Sequence, residues 1–311
     1  MTDKITIREL EPTELDLWFS MDDKSGLSEQ YQLKFNRRYS KHSNIDKRCF
    51  LLALSGERVV GRLFGMFLDD KIYSIETIDT ACEDSEVVNN AFGEYLYASF
   101  SADGTEILSW GRESEEYINK LLKHSGFVLS NEKVFVERNV NGYSSPYTSQ
   151  INFRSFADFD NDYLEAVLNK SVAGTDLFSE VVAPNRLLDR MKSLGDGSET
   201  QMESWEIAFL DDIPVGVVLP SVYDDDDEEG TLLVVAVFQD VRGEGYGTIL
   251  HARGLEVLGR NGVEKYMGST ESDNMAMQRI FRKHNCEFVD RQIYFATTYL
   301  SGSLLKNSLT H

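Results

Sequence analysis

The stretch from Thr231 to Gly247, TLLVVAVFQDVRGEGYG, constrains the fold of this 311-residue chain more than any other. Its first half is apolar and β-branched, which predicts a buried strand. Glycines follow at positions 243, 245 and 247, and a helix-prone run begins at Thr248. Glycines let successive backbone N–H groups converge on one point, and a helix N-terminus carries roughly half a positive charge. A strand, a glycine-rich turn and a helix in this order predict a pyrophosphate site.

The spacing of the glycines distinguishes this turn from two common phosphate loops. It does not fit the G-x-G-x-x-G of dinucleotide-binding folds, and no Gly-Lys-Ser/Thr of a Walker loop follows. Instead, Arg242 opens the pattern R-x-x-G-x-G. The segment from Ala236 to Gly247 thereby resembles the motif with which GCN5-related N-acetyltransferases (the GNAT superfamily) hold the pyrophosphate of acetyl-coenzyme A, although Gln239 stands where many members have proline. A glycine-rich turn without a ligand is the alternative interpretation of these residues alone.

A second signature of the same family follows in the family's order. The run 265–269 predicts a strand, and the run 275–284 predicts a helix. Around this helix the chain is similar to N-x-x-A-x-x-L-Y-x-K-x-G-F, whose places are taken by Asn274, Met277, Ile280, Phe281 and Lys283. Asn285 stands where glycine is usual, and asparagine tolerates the left-handed conformation of a helix stop.

Composition and length bound the class of protein. With 41% hydrophobic and 27% charged residues the chain resembles ordinary globular proteins, and its length favours two domains. No apolar run approaches the roughly 20 residues of a membrane span, and the start Met-Thr-Asp-Lys-Ile is not a signal peptide. Cys49, Cys82 and Cys286 are scattered, which predicts reduced thiols, a cytoplasmic location and no metal site.

The charge balance argues against one class of partner. Lysine and arginine number 31 against 52 acidic residues, for a net charge of −21. This balance argues against nucleic acid as a partner, because phosphate contacts need clustered basic residues. Two interpretations of the acidity stay open: attraction of a cationic acceptor, such as a polyamine, an aminoglycoside or a basic peptide, or solubility alone.

The elements predicted in the first half of the chain recur in the second. Both halves read as β-α-α-β-β-β-α-β-α-β, and the Val-Gly pairs at 60–61 and 215–216 occupy corresponding places. We therefore predict two tandem GNAT-like domains of the α/β (α+β) class, residues 1–142 and 149–300. Each is expected to be a mixed, mostly antiparallel twisted sheet flanked by helices, with a Ser/Gly/Pro-containing linker between them.

The two predicted copies are not equivalent. The turn that corresponds to the glycine cradle in the first copy begins at Thr80 and has no arginine, no glycine triplet and three carboxylates. Because carboxylates repel phosphates, we expect this copy to shape the acceptor pocket rather than to bind the cofactor. A degenerate first copy and an intact second one resemble the architecture of tandem-domain members such as mycothiol synthase. A doubled fold can mimic a dimer within one chain, so we expect a monomer or a homodimer.

The resemblance also implies a site and a reaction. In the family an amine attacks the acetyl thioester directly, while strand backbone pairs with the pantetheine arm. A main-chain N–H near Val237 would donate to the developing oxyanion. The cofactor-binding residues implied in this way are Ala236, Val237, Phe238, Arg242, Gly243, Glu244, Gly245, Tyr246, Gly247, Thr248, Asn274 and Phe281.

The acid and base are less well defined by the sequence. Phe281 occupies the place of a tyrosine that often protonates the leaving thiolate, so either Tyr246 or Tyr294 replaces it or the thiolate leaves unprotonated. Glu229, just before the core strand, is the candidate base, although it also ends the acidic run 224–229, which could be a solvated loop. Glu271 is a weaker candidate. His251 and His284 are expected to be surface or capping groups.

Three functions are compatible with these observations. The first is an acetyl-coenzyme A-dependent N-acetyltransferase that acts on a primary amine of a small molecule or peptide. The second is a non-catalytic acyl-coenzyme A-binding or regulatory module, which Phe281 and the degenerate copy suggest. The third is a tandem aminoacyl transferase of the cell-wall type, whose members usually lack an intact R-x-x-G-x-G. Retention of Arg242 and the glycines favours the enzyme.

Overall fold

The computed structural model describes residues 4–11, 14, 17–18, 46–68, 71–80, 85–110, 116–147, 151–173, 187–194, 199–223 and 226–297. The chain divides into two compact units, residues 1–133 with 290–311 and residues 134–289. The helical stretch predicted up to Asn44, the acidic turn at 81–84 with Cys82, and the segment 174–186 lie outside the described residues. None of the described helices has the length and apolar composition needed to cross a bilayer.

The first unit is built on a sheet with the strand order β1-β2-β3-β4-β5-β12. Strands β1 to β4 are antiparallel, whereas β4 and β5 are parallel. Helices α1 and α2 cover this sheet through apolar side chains such as Phe92, Leu96 and Leu122. The elements are β1 Ile5–Glu9, β2 Phe50–Ser55, β3 Arg58–Phe67, β4 Ile72–Thr80, α1 Ser85–Phe100, β5 Glu106–Trp110, α2 Glu116–His124, the start of β6 Phe127–Asn139, and most of β12 Glu287–Thr297.

The second unit has a sheet of the order β6-β11-β10-β9-β8-β7. Strands β7 to β10 are antiparallel, and β10 and β11 are parallel. The elements are the end of β6, β7 Ile151–Ser155, α3 Asn161–Val172, α4 Leu187–Leu194, α5 Glu199–Ser204, β8 Glu206–Leu210, β9 Ile213–Tyr223, β10 Asp226–Val237, α6 Tyr246–Arg260, β11 Lys265–Glu271, α7 Met275–Lys283 and the start of β12. A mixed, mostly antiparallel α/β fold is therefore confirmed.

The sixth strand of each sheet comes from the other half of the sequence. Strand β12 pairs antiparallel with β5, with Tyr294 opposite Leu108 and Phe295 opposite Ile107. The end of β6 lies next to β11 instead. Relative to the domain limits predicted at 142 and 149, the compact units place residues 134–142 with the second unit and residues 290–300 with the first.

Several local features differ from the sequence-based expectations. Strand β10 begins at Asp226, inside the acidic run that could have been a loop, because it continues the hairpin in which Asp226 pairs with Tyr223. Helix α5 and the 3-10 turn Gln239–Val241 were not predicted. Cys49 and Cys286 are buried free thiols, and burial raises the pKa of Cys286 to about 11.

An ion pair fastens helix α6 to the sheet of the second unit. Arg253 on α6 donates from Nε and Nη2 to the two carboxylate oxygens of Glu206 on β8, both at 2.7 Å. Glu206 is 9% exposed, and these hydrogen bonds are the main cause that raises the pKa of Arg253. Bidentate guanidinium–carboxylate pairs are among the stronger polar contacts in proteins, because both donors are used in a planar geometry.

A buried histidine pair joins α6, α7 and β11. The Nδ1 atoms of His251 and His284 lie 2.7 Å apart, and His251 Nε2 lies 3.3 Å from Tyr266 Oη. The two rings are 0% and 3% exposed, which corrects the expectation of surface positions, although His284 does end α7. Burial is the main cause that lowers the pKa of both, that of His284 to about 4, with Arg138 adding to it.

We predict that Glu206→Gln lowers the free energy of unfolding by about 2 kcal/mol, because Arg253 loses a charged partner at a mostly buried position. Glu203→Gln makes the same change of charge at an exposed residue and should stay within about 0.5 kcal/mol of wild type. Urea denaturation followed by circular dichroism measures both. Equal effects of the two substitutions would show that the ion pair contributes nothing specific.

We also predict that stability falls as pH drops from about 6.5 towards 4. Both histidines have lowered pKa values in the folded state. Their contribution to the free energy of unfolding is therefore fully present above the unfolded pKa of about 6.5, and it is lost as the pH falls through the folded pKa. His284→Gln should flatten the change in urea midpoint between pH 6.5 and 5, a range above most carboxylate titrations. His124→Gln, at an exposed position, should leave the slope of wild type unchanged.

Candidate cofactor and active site

The glycine-rich turn forms an open cradle at the end of β10. Gly243 and Gly245 have φ values of 92° and 86°, in the left-handed region that favours glycine. A Cβ atom at either position would meet no atom within 4 Å, and both residues are exposed. Gly245 caps α6, whose first N–H groups have no partner within the helix. An anion can therefore approach the backbone of this turn directly, as pyrophosphate binding requires.

Gly247 brings the two predicted signatures together. A Cβ atom at this position would lie 3.0 Å from Ile280 Cδ1 and 3.7 Å from Val237 Cγ2. The first turn of α6 therefore packs tightly against α7 on one side and against the end of β10 on the other. Glycine permits this close approach, which places the R-x-x-G-x-G turn beside the helix of the second signature.

Strand β10 parts from its parallel neighbour before it reaches the cradle. Within the described strands, β10 pairs with β11 at Glu229–Lys265 and Gly230–Tyr266, whereas its pairing with β9 continues to Val237–Gly216. A register shift between Leu232 and Val234 marks a bulge in β10. Bulges bend a strand and change the direction of its side chains, and they are frequent next to active sites. The divergence leaves a gap along the second half of β10.

The main-chain groups that face this gap follow from the strand's alternation. Phe238 donates its N–H to Val215 O at 2.9 Å, so the main chain of Phe238 faces β9. Adjacent residues of a strand direct their N–H and C=O groups to opposite sides. Val237 and Val235 therefore direct theirs away from β9 and into the gap. The predicted oxyanion donor, the Val237 N–H, has the orientation that such a role requires.

Arg242 contacts the strand that carries this donor. Its Nε donates to Val237 O at 3.0 Å, and its Nη2 donates to Ala173 O at 3.4 Å, just after α3. The side chain is otherwise exposed. The guanidinium thus makes main-chain contacts at the end of β10, in addition to lying beside the glycine turn.

The other residues expected at the cradle have mixed surroundings. Glu244 is exposed, Thr248 is 7% exposed, and Tyr246 packs against the apolar cluster that includes Val215 and Leu250. The ring of Phe238 is fully buried. Ala236 lies on the β10 edge that pairs with β9, opposite Val217. These positions leave the backbone of the turn, rather than these side chains, as the surface open to a ligand.

Two residues of the second signature, Asn274 and Phe281, make structural contacts within the second unit. Asn274 caps α7 by accepting from Met277 N at 3.1 Å, and its Nδ2 donates to Thr270 Oγ1 at 3.0 Å. Phe281 is 0% exposed and packs with Leu255 and Leu258. Both side chains are therefore engaged within the second unit, which explains their residue types without a ligand.

The structure does not bring Glu229 to the predicted oxyanion donor. Glu229 and Val237 are eight residues apart on β10, about 26 Å at about 3.3 Å per residue. Glu229 forms an ion pair with Lys265 and lines a cavity of about 700 Å³ with four further glutamates, Glu137, Glu228, Glu264 and Glu287. This separation speaks against Glu229 as the base for an amine held near Val237.

Glu271 is better placed than the sequence suggested. It ends β11, five residues beyond Tyr266, just as Val235 lies five residues beyond Gly230 on β10. Since the two strands are parallel and paired at Gly230–Tyr266, Glu271 lies about level with Val235 across the gap. The sequence could not rank it above Glu229, because the divergence of the strands is not visible in a local pattern.

Tyr294 and Tyr246 were the candidate replacements for the missing tyrosine. Tyr294 belongs to the first unit, is 9% exposed and donates to Gln292 Oε1 at 3.0 Å. Tyr246 occupies the first position of α6, where its ring packs against apolar side chains. The contacts of these two tyrosines do not identify either of them as the proton donor for a leaving thiolate.

Comparison with known proteins finds one family model that matches part of the chain. Residues 178–286 match the model of the Acetyltransferase (GNAT) family. No curated protein matches the sequence.

Solved structures resemble the whole chain at low identity. A GCN5-related N-acetyltransferase from Sphaerobacter thermophilus is 14% identical, with a TM-score of 0.59 over 94% of this chain and 95% of that one. A tandem GNAT protein from the clavulanic acid biosynthesis pathway is 13% identical, with a TM-score of 0.51 over 94% and 98%. A GCN5-related N-acetyltransferase from Kribbella flavida is 13% identical, with a TM-score of 0.51 over 78% and 88%. At such identities the likeness establishes the fold. The chain therefore has the fold of the GCN5-related N-acetyltransferases, and the family model matches residues 178–286 within it.

Proposed function

We propose that the second unit binds acetyl-coenzyme A and transfers its acetyl group by direct attack to a primary amine of a small molecule or peptide. One observation carries the proposal: within the described strands, the edge of β10 that does not pair with β11 ends at Val237, and the glycine cradle at Gly243 and Gly245 follows after one short turn. A pyrophosphate and an extended amide-containing arm are the groups that match these two surfaces. The match of residues 178–286 to the Acetyltransferase (GNAT) family supports acyl transfer in general.

Different residues of β10 and of the turn that follows it would bind different parts of acetyl-coenzyme A. Main-chain N–H groups from Gly243 to Gly247 would hold the pyrophosphate, aided by the dipole of α6, whereas the N–H of Thr248 donates to Gly245 O at 3.1 Å. Val235 would pair with the pantetheine arm as a neighbouring strand does. The Val237 N–H would donate to the thioester carbonyl oxygen, where negative charge develops. Acetyl-coenzyme A itself supplies the activated acyl group.

Proton transfer would involve the opposite wall of the gap. Glu271 is the carboxylate that lies about level with Val235, and it would take a proton from the substrate ammonium, so that the neutral amine attacks the thioester. No proton donor is required for the leaving group if it departs as a thiolate. A thiol has a pKa of about 8.5, which makes its thiolate a fair leaving group. The apolar, fully buried Phe281 is compatible with such a departure.

A second candidate function is a module that binds acyl-coenzyme A without turnover. The observation that favours it is Phe281, which has no proton to donate. The two functions differ in one measurement, because both require binding and only the enzyme consumes acetyl-coenzyme A in the presence of an amine.

Calorimetric titration of acetyl-coenzyme A into the full chain tests the binding step. We expect one molecule per chain, followed by release of free thiol in a screen of amines that begins with polyamines and aminoglycosides, as the net charge of −21 suggests. Binding without turnover across the screen would favour the module. Absence of binding would contradict both functions.

We predict that Gly245→Asp weakens acetyl-coenzyme A binding at least about 100-fold, because a carboxylate would enter the pyrophosphate cradle. Gly262→Asp is the matched control. Gly262 also has a left-handed φ, 89°, with no atom within 4 Å of its Cβ position, but it lies at the far end of α6. Affinity should be retained there. Equal losses in the two variants would point to general destabilisation instead.

We further predict that Glu271→Gln lowers kcat about 100-fold or more with the best amine of the screen, since general-base catalysis contributes about 10²–10⁴-fold. The loss should shrink at high pH, where the amine is already neutral. Glu229→Gln, about 26 Å along β10 from Val237, should keep nearly full activity. The opposite ranking would restore Glu229 as the base.

A further inference from the structure

The peptide between Val237 and Phe238 is held from both sides. Its oxygen accepts from Arg242 Nε at 3.0 Å, and its N–H donates to Val215 O at 2.9 Å. These two contacts fix the plane of this peptide relative to β9. The N–H of Val237 belongs to the preceding peptide, which is joined to this one at the Val237 Cα atom, so the two contacts also restrict the direction in which that N–H enters the gap.

Arg242 further connects this point to the end of α3. Its Nη2 donates to Ala173 O at 3.4 Å. Lys170, one turn earlier in α3, forms an ion pair with Asp240 at 3.1 Å, and its Nζ lies 4.7 Å from the ring centroid of Phe238. The turn Gln239–Val241 is thus attached to α3 at both of its ends, and Arg242 supplies the attachment that reaches the strand.

The same contacts limit what Arg242 contributes as a charge. Its Nε, the donor nearest the main chain, already points at Val237 O rather than at the cradle. The cradle offers instead the main-chain N–H groups around Gly243 and Gly245, whose left-handed conformations expose them. A phosphate held by main-chain donors does not require this guanidinium.

We propose that Arg242 is a positioning residue: through its Nε it orients the end of β10 so that the Val237 N–H points at the thioester carbonyl, and its charge is not needed to hold the pyrophosphate. This inference rests on the proposed function, because it assigns the donor end of the same site. It differs from the expectation for Arg242 in the sequence, where the side chain was counted among the pyrophosphate ligands.

Two substitutions separate the donor from the charge. Arg242→Gln keeps an N–H donor at the chain position of Nε and removes the charge. Arg242→Lys keeps the charge and removes the donor from that position. A positioning role predicts that glutamine behaves like wild type and lysine does not, whereas a phosphate ligand predicts the reverse.

The readout is the carbonyl stretch of bound acetyl-coenzyme A, labelled with ¹³C at the thioester carbon and measured by difference infrared spectroscopy at saturation. A hydrogen bond from Val237 lowers this frequency relative to the free thioester. We expect the lowering in wild type and Arg242→Gln, and loss of most of it in Arg242→Lys. Calorimetric affinities should stay within about threefold of wild type in both variants.

The outcomes distinguish a failure of the inference about Arg242 from a failure of the proposed function. If wild type binds and Arg242→Lys keeps both the frequency and the affinity while Arg242→Gln binds at least about tenfold more weakly, Arg242 is a phosphate ligand and the inference fails alone. If wild type binds with an unshifted carbonyl, Val237 is not the donor and the inference also fails. If wild type does not bind, the proposed function fails and takes this inference with it.

Discussion

The divergence of β10 from β11 after Gly230 is the constraint on which the rest of the second unit depends. A strand inside a sheet satisfies its main-chain groups with two neighbours, so a strand that loses one neighbour must satisfy that edge with water or a ligand. Here the unpaired part of the strand ends directly at the glycine turn. The part of β10 that is not paired with β11 and the glycine turn are therefore close to one another. Gly247 allows α6 to pack closely against α7 beside them.

Polar contacts hold the elements around this surface in place. The Glu206–Arg253 pair connects α6 to β8, and the histidine pair connects α6 to α7 through buried imidazoles. Both arrangements remove polar groups from water and are favourable only while each group keeps its partner. Protonation of the histidine pair would place two Nδ1–H groups face to face, which makes this part of the core sensitive to acid.

The candidate site was predictable to the extent that it consists of main chain. The spacing of Arg242 and the glycines located the cradle, because left-handed positions demand particular residues. Side-chain roles were less accessible. Asn274 and Phe281 matched a family signature, yet one caps a helix and the other fills a core. Glu229 was adjacent to the core strand in sequence, but the length of an extended chain carries it far from Val237.

The sequence by itself indicated most of the described strands and helices, although not helix α5 or the 3-10 turn, since periodicity, β-branching and glycine positions act over a few residues. It also located the glycine turn in the second half, since Arg242 and the spaced glycines that follow it occur there. Only the tertiary structure decided which strands meet: that β12 pairs with β5, that β6 lies beside β11, and that Glu271 ends a strand about level with Val235. The physical reason is that pairing depends on main-chain groups every strand possesses, so the choice of partner is made by packing across the whole sheet.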